Sequence, residues 1–301
     1  MTATRRWRLL LAYDGSGFRG FATQAGLPTV AGALAGAIAR AARLSGPPVI
    51  VCAGRTDAGV HATGQVVHVD LPADFDGDLS RAVNRQLSPS IVVRTAEPVG
   101  DDFDARRSAT ARHYRYLVWN APTPEPLLAL VAWHVPDPLD VKAMAAAADA
   151  LVGEHDFRAF CRRPSGRPAS EPIVRTVTAA GWRTVDVAGL LGASALRGDA
   201  SRGPALLRFD VAAGSFCHQM VRSIVAVLVD AGRGRVNVAT VVGLLAAGSR
   251  EGSPQPAPPH GLCLVGVDYG RAGRGLGSSD GDEQRGTEQG TPARRDARTR
   301  Q

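Results

Sequence analysis

The chain has 301 residues, a formal net charge of +7 at pH 7 and a sequence pI of about 9.9. Its length suits one large domain or two ordinary ones, and its hydrophobic content of 45% suits a globular core. No run of residues approaches the ~20 apolar residues of a membrane span. The positive charge favours a polyanion such as nucleic acid as the partner. Almost all of the positive charge comes from arginine, a residue that binds RNA well. A GC-rich coding genome would give the same preference for arginine over lysine.

Hydrophobic periodicity predicts the order β-α-β-β-α-β twice along the chain. Thr29 is a candidate helix cap, because its hydroxyl can accept a hydrogen bond from the first turn. The predicted elements of the first half are strand 7–13, helix 29–41, strands 49–52 and 66–71, helix 79–87 and strand 91–99. Those of the second half are strand 113–119, helix 141–152, strands 174–187 and 206–211, helices 216–231 and 238–247, and strand 262–269.

This order predicts an α+β fold made of two tandem ferredoxin-like, or RRM-like, β-α-β-β-α-β units with largely antiparallel sheets. We expect an N-terminal unit over 1–105, a C-terminal unit over 106–270 and an active-site cleft between them. Residues 189–204 form a predicted loop insertion, and 271–301 a disordered tail that cannot bury a core. The architecture hosts many functions, so the site must decide the activity.

The cysteines and histidines show no metal-binding pattern. The four cysteines are far apart and form no Cys-x-x-Cys pair, so we expect buried thiols in a reducing compartment. No His-Glu-x-x-His sequence occurs either. The apolar run Leu9–Ala12 is too short for the core of a signal peptide. We therefore predict no metal ion and a soluble, cytoplasmic protein.

Gly15 to Gly20 match the pattern G-x-G-x-x-G and follow a predicted strand. A dinucleotide site would need a helix to begin there and an acid about twenty residues later. Instead a loop continues to Pro28, and no acid occurs between Asp14 and Asp57. The phosphate loop G-x-x-x-x-G-K-[ST] is absent too, because Lys142 is the only lysine. The sequence therefore predicts no nucleotide cofactor.

Asp57 lies in the run Gly-Arg-Thr-Asp-Ala-Gly-Val-His over 54–61, with Arg55 two positions before it. Thr, Asp and Gly are common in turns, so an ordinary structural loop is one interpretation. A turn needs only two or three special residues, however, and this pattern is much longer. A lone acid beside an arginine in a basic protein indicates one-carboxylate chemistry on an anionic substrate.

Arg222 occurs in a predicted helix that is otherwise apolar, and His218 lies one turn before it. An unpaired buried charge is costly, so this arginine needs an anionic partner, and Asp57 is the natural candidate. The alternative is a side chain that extends along the helix edge to water.

Two further places carry plausible chemistry. Alternation on a strand puts Tyr114 and Tyr116 on one face, where a tyrosine can stack on a base or form an ordinary aromatic pair. Arg106, with Arg107 and Arg112 close by, is either a phosphate contact between the two units or part of a solvated linker.

These residues resemble the tRNA pseudouridine synthase A family. The matching elements follow one order through nearly all of residues 9–269, and the run around Asp57 is the most specific of them. They are Tyr13-Asp14-Gly15, residues 54–61 with Gly64-Gln65-Val66, 84–87, Phe103 with Ala105-Arg106, 114–116, 153–157, Arg175-Thr176, 220–222 and Gly261-Leu262.

The resemblance implies that uridines at positions 38 to 40 of the tRNA anticodon stem-loop are isomerised to pseudouridine. It implies that Asp57 is the catalytic aspartate and that Arg222 pairs with it. It also implies that Tyr114 packs on the target uracil and that Arg55 contacts the RNA; Arg106 and His61 complete the expected substrate-binding residues. The family implies a homodimer that binds tRNA with both subunits and needs no metal or cofactor.

The sequence leaves some alternatives open. Asp57 could attack C1′ or take a proton from C2′. A non-catalytic RNA-binding protein on the same scaffold is a second hypothesis, and a nucleotide-dependent enzyme that uses the Gly15 loop is a weaker third. The family's Phe-His-Ala-Arg is Phe103-Asp104-Ala105-Arg106 here, which puts an acid where a histidine is usual.

Overall fold

The computed structural model describes residues 3–162, 166, 168, 170–187, 191, 205–248 and 255–270. Within these ranges the chain forms a mixed α+β fold, as the sequence predicts. The strands are β1 Thr4–Tyr13, β2 Val51–Cys52, β3 His61–Pro72, β4 Ile91–Pro98, β5 Ala109–Asn120, β6 Trp133–Val135, β7 Gly153–Asp156, β8 Val174–Val185, β9 Ala205–Ala213 and β10 Leu262–Tyr269. The α-helices are α1 Val30–Ala41, α2 Leu79–Leu87, α3 Val141–Asp149, α4 Met220–Gly232 and α5 Val238–Ala247.

One mostly antiparallel sheet contains all ten described strands. Its main path runs β4-β1-β3-β10-β5-β9-β8-β7, while β2 pairs with β3 and β6 pairs with β5. The two halves of the chain meet where β3 and β10 pair in parallel, with Cys263 opposite His61 and Leu264 opposite Ala62. Parallel neighbours begin at the same end of a sheet, so the segments that lead into β3 and β10 lie side by side. Those segments carry the candidate site.

The helices are held by buried apolar faces. In α1 the inward residues Leu34 and Ile38 recur at helical spacing, and the Thr29 hydroxyl accepts a hydrogen bond from the Gly32 N–H at 3.3 Å. Helix α4 is apolar almost all round and is buried along nearly its whole length. Each fully buried side chain such as Ile224 contributes about 1.5–3 kcal/mol to folding. This core fixes α4, and with it Arg222.

Most predicted elements are confirmed, with their ends moved by a few residues. Helices α2 and α5 and strand β10 have the predicted bounds. The predicted start of α4 at 216 is wrong, because Gln219 has a φ of +65° and breaks the helical backbone before Met220. Strands β6 and β7 were not predicted, since runs of three and four residues carry too little alternation.

The cysteine expectation is partly wrong. Cys52 and Cys263 are free, but Cys161 and Cys217 form a disulfide with a Cα–Cα distance of 5.8 Å. The sequence separation of 56 between these two cysteines hides their proximity at the level of sequence. Burial raises the pKa of Cys52 to about 11.

Two predicted segments fall largely outside the described residues. The insertion 189–204 does so apart from position 191, and the tail 271–301 does so entirely. Among the helices that are described, none has the length and apolarity needed to cross a membrane.

Candidate active site

Asp57 lies in a tight loop over 53–60 between β2 and β3. The Val60 N–H donates to the Asp57 carbonyl at 3.2 Å, and Gly59 supplies a φ of +77° that other residues rarely adopt. The loop packs on the glycine-rich segment 15–20, where a Cβ on Gly15 would lie 2.1 Å from the Val60 carbonyl oxygen. The glycine pattern therefore serves close backbone packing against the loop.

Buried polar side chains hold the start of this loop. Gln65, fully buried on β3, donates to the Gly54 carbonyl at 2.7 Å and accepts from the Gly54 N–H at 3.4 Å. The Tyr13 hydroxyl lies 2.8 Å from the hydroxyl of Thr56, and Thr56 is the residue before Asp57. Because buried backbone groups must be paired, these bonds fix the path of the chain into Asp57.

Arg222 makes the contact that the sequence predicts. Its Nη1 donates to Asp57 Oδ2 at 3.1 Å, and its Nε donates to the Ala257 carbonyl at 2.7 Å. The Ala257 N–H in turn donates to the Arg222 carbonyl at 3.0 Å. Asp57 and Arg222 keep only 22% and 14% of their side-chain surface exposed, so this ion pair is partly shielded from water.

His218 also meets Asp57, but not from the position predicted. Its Nε2 is 3.4 Å from Asp57 Oδ1, and the residue precedes α4 instead of belonging to its first turn. The half-exposed imidazole and the partly buried guanidinium of Arg222 thus meet different oxygens of one carboxylate.

Tyr114 on β5 lies beside the loop. Its ring contacts Phe216 edge to face with centroids 5.1 Å apart, and a Cβ on Gly54 would lie 3.6 Å from its hydroxyl. Burial raises the pKa of Tyr114 well above its ordinary value, and the Asp57 charge adds to the effect. Tyr114 is therefore a neutral phenol at pH 7. Tyr116 shares its face, as predicted, and donates to the Pro258 carbonyl at 2.7 Å.

The arginines just before β5 and within it, Arg106, Arg107 and Arg112, differ in environment. Arg106 is exposed, whereas Arg112 is buried and donates to the carbonyls of Ala53, Ala109, Gly214 and Arg106. Burial lowers the pKa of Arg112. Because Arg112 donates to these backbone carbonyls at the root of the Asp57 loop, we expect it to support the loop and not to contact phosphate.

The unexpected acid in the segment before β5 has a local role. The Asp104 carboxylate accepts hydrogen bonds from the backbone N–H groups of Arg106 at 2.9 Å and Arg107 at 2.8 Å. Burial raises the pKa of Asp104, but these N–H groups outweigh it, so the net shift is downward. The acid therefore shapes the turn that presents Arg106.

The remaining predicted residues differ in exposure. Arg55 is exposed, while His61 is buried with Nε2 3.0 Å from the Leu130 carbonyl and Nδ1 accepting from the Gly15 N–H at 3.1 Å. His61 Nδ1 also lies 3.1 Å from Asp14 Oδ1. Within the described ranges, no three His, Cys, Asp or Glu side chains cluster as metal ligands would.

Comparison with known proteins agrees with this geometry. A family profile described as tRNA pseudouridine synthase matches residues 147–270. The chain is 44% identical over 271 residues to tRNA pseudouridine synthase A of Methylobacterium sp. strain 4-46, covering 89% of this chain and 99% of that protein. The chain belongs to the tRNA pseudouridine synthase A family. The member from Frankia casuarinae is also 44% identical, over 88% of this chain and 89% of its own.

Several residues that build this family member's site were not predicted in the role that the structure gives them. Tyr13 and Arg112 hold the Asp57 loop, and Ala257 holds Arg222 through backbone groups alone. The available signal was a polar residue at an inward position of a strand, which Tyr13 and Arg112 both provide. Ala257 carries no such signal.

Proposed function

We propose that this protein isomerises uridines at positions 38 to 40 of the tRNA anticodon stem-loop, with Asp57 as the catalytic carboxylate and Arg222 as its counter-ion. The family makes the chain a tRNA pseudouridine synthase, an isomerase that acts on uridine in tRNA. The observation that carries the residue assignment is the 3.1 Å contact between Arg222 Nη1 and Asp57 Oδ2.

The reaction needs one carboxylate and no net redox change. The N1–C1′ bond breaks, the uracil turns, C5 bonds to C1′, and the proton on C5 is lost while N1 gains one. Asp57 can serve this sequence as a nucleophile at C1′ or as a base at C2′. In both routes the carboxylate must be held in position, which its hydrogen bond from the guanidinium of Arg222 favours.

The target base must leave its stack to reach Asp57. We assign the flat face for the uracil to Tyr114, whose neutral ring lies beside the loop. Exposed Arg55 and Arg106 would contact phosphate, since guanidinium groups bind phosphate oxygens in a fork. His61 is buried, so we place it behind the loop, where it holds Gly15.

The strand orders β4-β1-β3-β2 and β10-β5-β9-β8 support two ferredoxin-like units, over 1–105 and 106–270, with a cleft at their junction. The parallel contact of β3 with β10 lies at that junction, next to the Asp57 loop. A homodimer stays a prediction from the family resemblance, and a cytoplasmic location stays a prediction from the sequence.

Asp57→Asn tests the proposal, because it keeps the shape of the side chain and removes its charge. We expect the variant to bind unmodified tRNA with near wild-type affinity and to form no pseudouridine, mapped base by base along the anticodon arm. Asp76→Asn, at an exposed acid in a surface turn, is the matched control and should stay fully active. Activity in Asp57→Asn would overturn the assignment, and product outside positions 38 to 40 would overturn the substrate position.

A further inference from the structure

The two oxygens of Asp57 face two different side chains. Arg222 occupies Oδ2 at 3.1 Å, and His218 Nε2 lies 3.4 Å from Oδ1. A carboxylate held through one oxygen can still turn about its Cβ–Cγ bond. Contacts to both oxygens fix its plane, and a fixed plane is what a reaction at one sugar carbon requires.

The backbone of His218 is fixed from several sides. Gln219, the next residue, holds a φ of +65°, which is rare for residues other than glycine. The His218 carbonyl accepts a hydrogen bond from the Arg162 N–H at 2.9 Å, and Cys217 is tied to Cys161 by the disulfide. Strained residues concentrate at functional sites and persist only where their surroundings impose them. Here the constraints on residues 217–219 direct the His218 imidazole toward the Asp57 carboxylate.

We propose that His218 is a positioning residue for the isomerisation: its Nε2–H donates to Asp57 Oδ1 and, with Arg222 on Oδ2, sets the carboxylate plane. This inference rests on the proposed role of Asp57. The distance of 3.4 Å between His218 Nε2 and Asp57 Oδ1 without RNA is consistent with this role, because catalytic hydrogen bonds often shorten only when the substrate is bound. The bound nucleotide would also exclude water from the half-exposed imidazole and strengthen the contact.

The competing explanation is an incidental surface pair, since most exposed ion pairs contribute little. The protein supplies its own comparison, because His113 Nε2 lies 2.7 Å from Asp268 Oδ2 on the surface, in a pair that does not involve Asp57. That pair is shorter, and its carboxylate is 60% exposed against 22% for Asp57, while the two imidazoles are similarly exposed at 39% and 47%. His113→Ala is therefore a matched control for the loss of an imidazole–carboxylate contact.

The test uses full-length protein in excess over unmodified tRNA labelled with tritium at uracil C5, so that tritium release measures one turnover. For His218→Ala we expect a rate constant about 10- to 100-fold below wild type, with the tRNA Kd and the thermal unfolding midpoint unchanged. His218→Gln, which keeps an N–H near the position of Nε2, should recover most of the rate. His113→Ala should match wild type in all three measurements.

Other outcomes would overturn the inference. A wild-type rate in His218→Ala would make the pair incidental, and equal losses in His218→Ala and His218→Gln would exclude the N–H contact as the cause. A weaker Kd with an unchanged rate at saturation would make His218 an RNA contact instead. Asp57→Asn is measured alongside: if it is inactive while His218→Ala is normal, only this inference fails, whereas an active Asp57→Asn would remove both.

Discussion

Arg222 Nη1 lies 3.1 Å from Asp57 Oδ2, although 165 residues separate the two in the chain. The pair forms because the segments that lead into β3 and β10 enter the sheet side by side. A Cβ on Gly59 of the loop would lie 3.0 Å from the Pro259 ring, so these two segments touch directly. Ala257, two residues before that proline, holds the Arg222 backbone and side chain in place.

Arg222→Lys and Arg222→Met should separate charge from geometry. Lysine keeps the charge but cannot bond Asp57 and the Ala257 carbonyl together through a planar fork. We expect both variants to lose at least about 100-fold in turnover. In urea unfolding, Arg222→Met should lose about 2 kcal/mol of stability and Arg222→Lys less. Normal turnover in Arg222→Lys would mean that charge alone suffices.

Gly15→Ala and Gly17→Ala should differ sharply. The new methyl at Gly15 would lie 2.1 Å from the Val60 carbonyl oxygen, whereas nothing lies within 4 Å of one at Gly17. Gly15→Ala should cost about 1–3 kcal/mol in unfolding free energy and slow turnover by displacing the Asp57 loop. Gly17→Ala should match wild type in both assays. A large activity loss in Gly17→Ala would instead indicate a ligand that approaches the bare backbone there.

Gln65→Met should disturb the Asp57 loop by removing its buried hydrogen-bond partner. It leaves the N–H and carbonyl of Gly54 without their buried partner, which costs about 1–3 kcal/mol. We expect slower turnover with little change in tRNA affinity. Gln86→Met is the control, because Gln86 also donates to backbone carbonyls, those of Ala37 and Ala82, but contacts no part of the Asp57 loop. Equal turnover losses in the two variants would exclude a specific role for Gln65.

The salt dependence of tRNA binding should separate the arginines. Each phosphate contact contributes roughly one unit to the slope of log K against log salt. Arg55→Met and Arg106→Met should each lower that slope by about one unit. Arg112→Met should leave it unchanged while lowering the unfolding free energy, because Arg112 donates to four backbone carbonyls. A reduced slope in Arg112→Met would show that Arg112 contacts phosphate.

The features that the sequence predicts correctly depend on interactions between residues close together in the chain. Helices α2 and α5 have the predicted bounds, and in the structure a side-chain cap begins each one, Asp78 for α2 and Asn237 for α5. The start of α4 was missed because Gln219 has a left-handed backbone that its residue type does not indicate. The disulfide and the burial of Arg112 were missed because each joins segments that are far apart in the chain.

The sequence by itself determined the α+β class, the Asp57 loop and the need of Arg222 for an anionic partner, because periodicity, turn chemistry and the cost of a buried charge all act locally. The tertiary structure decided which oxygen of Asp57 each partner meets, which arginine is buried, and that His218 reaches Asp57 from outside the helix. Those features depend on how β3 and β10 pair and on backbone bonds such as that of Ala257 to Arg222. Contacts of that kind join distant segments, and no local pattern of residue types specifies them.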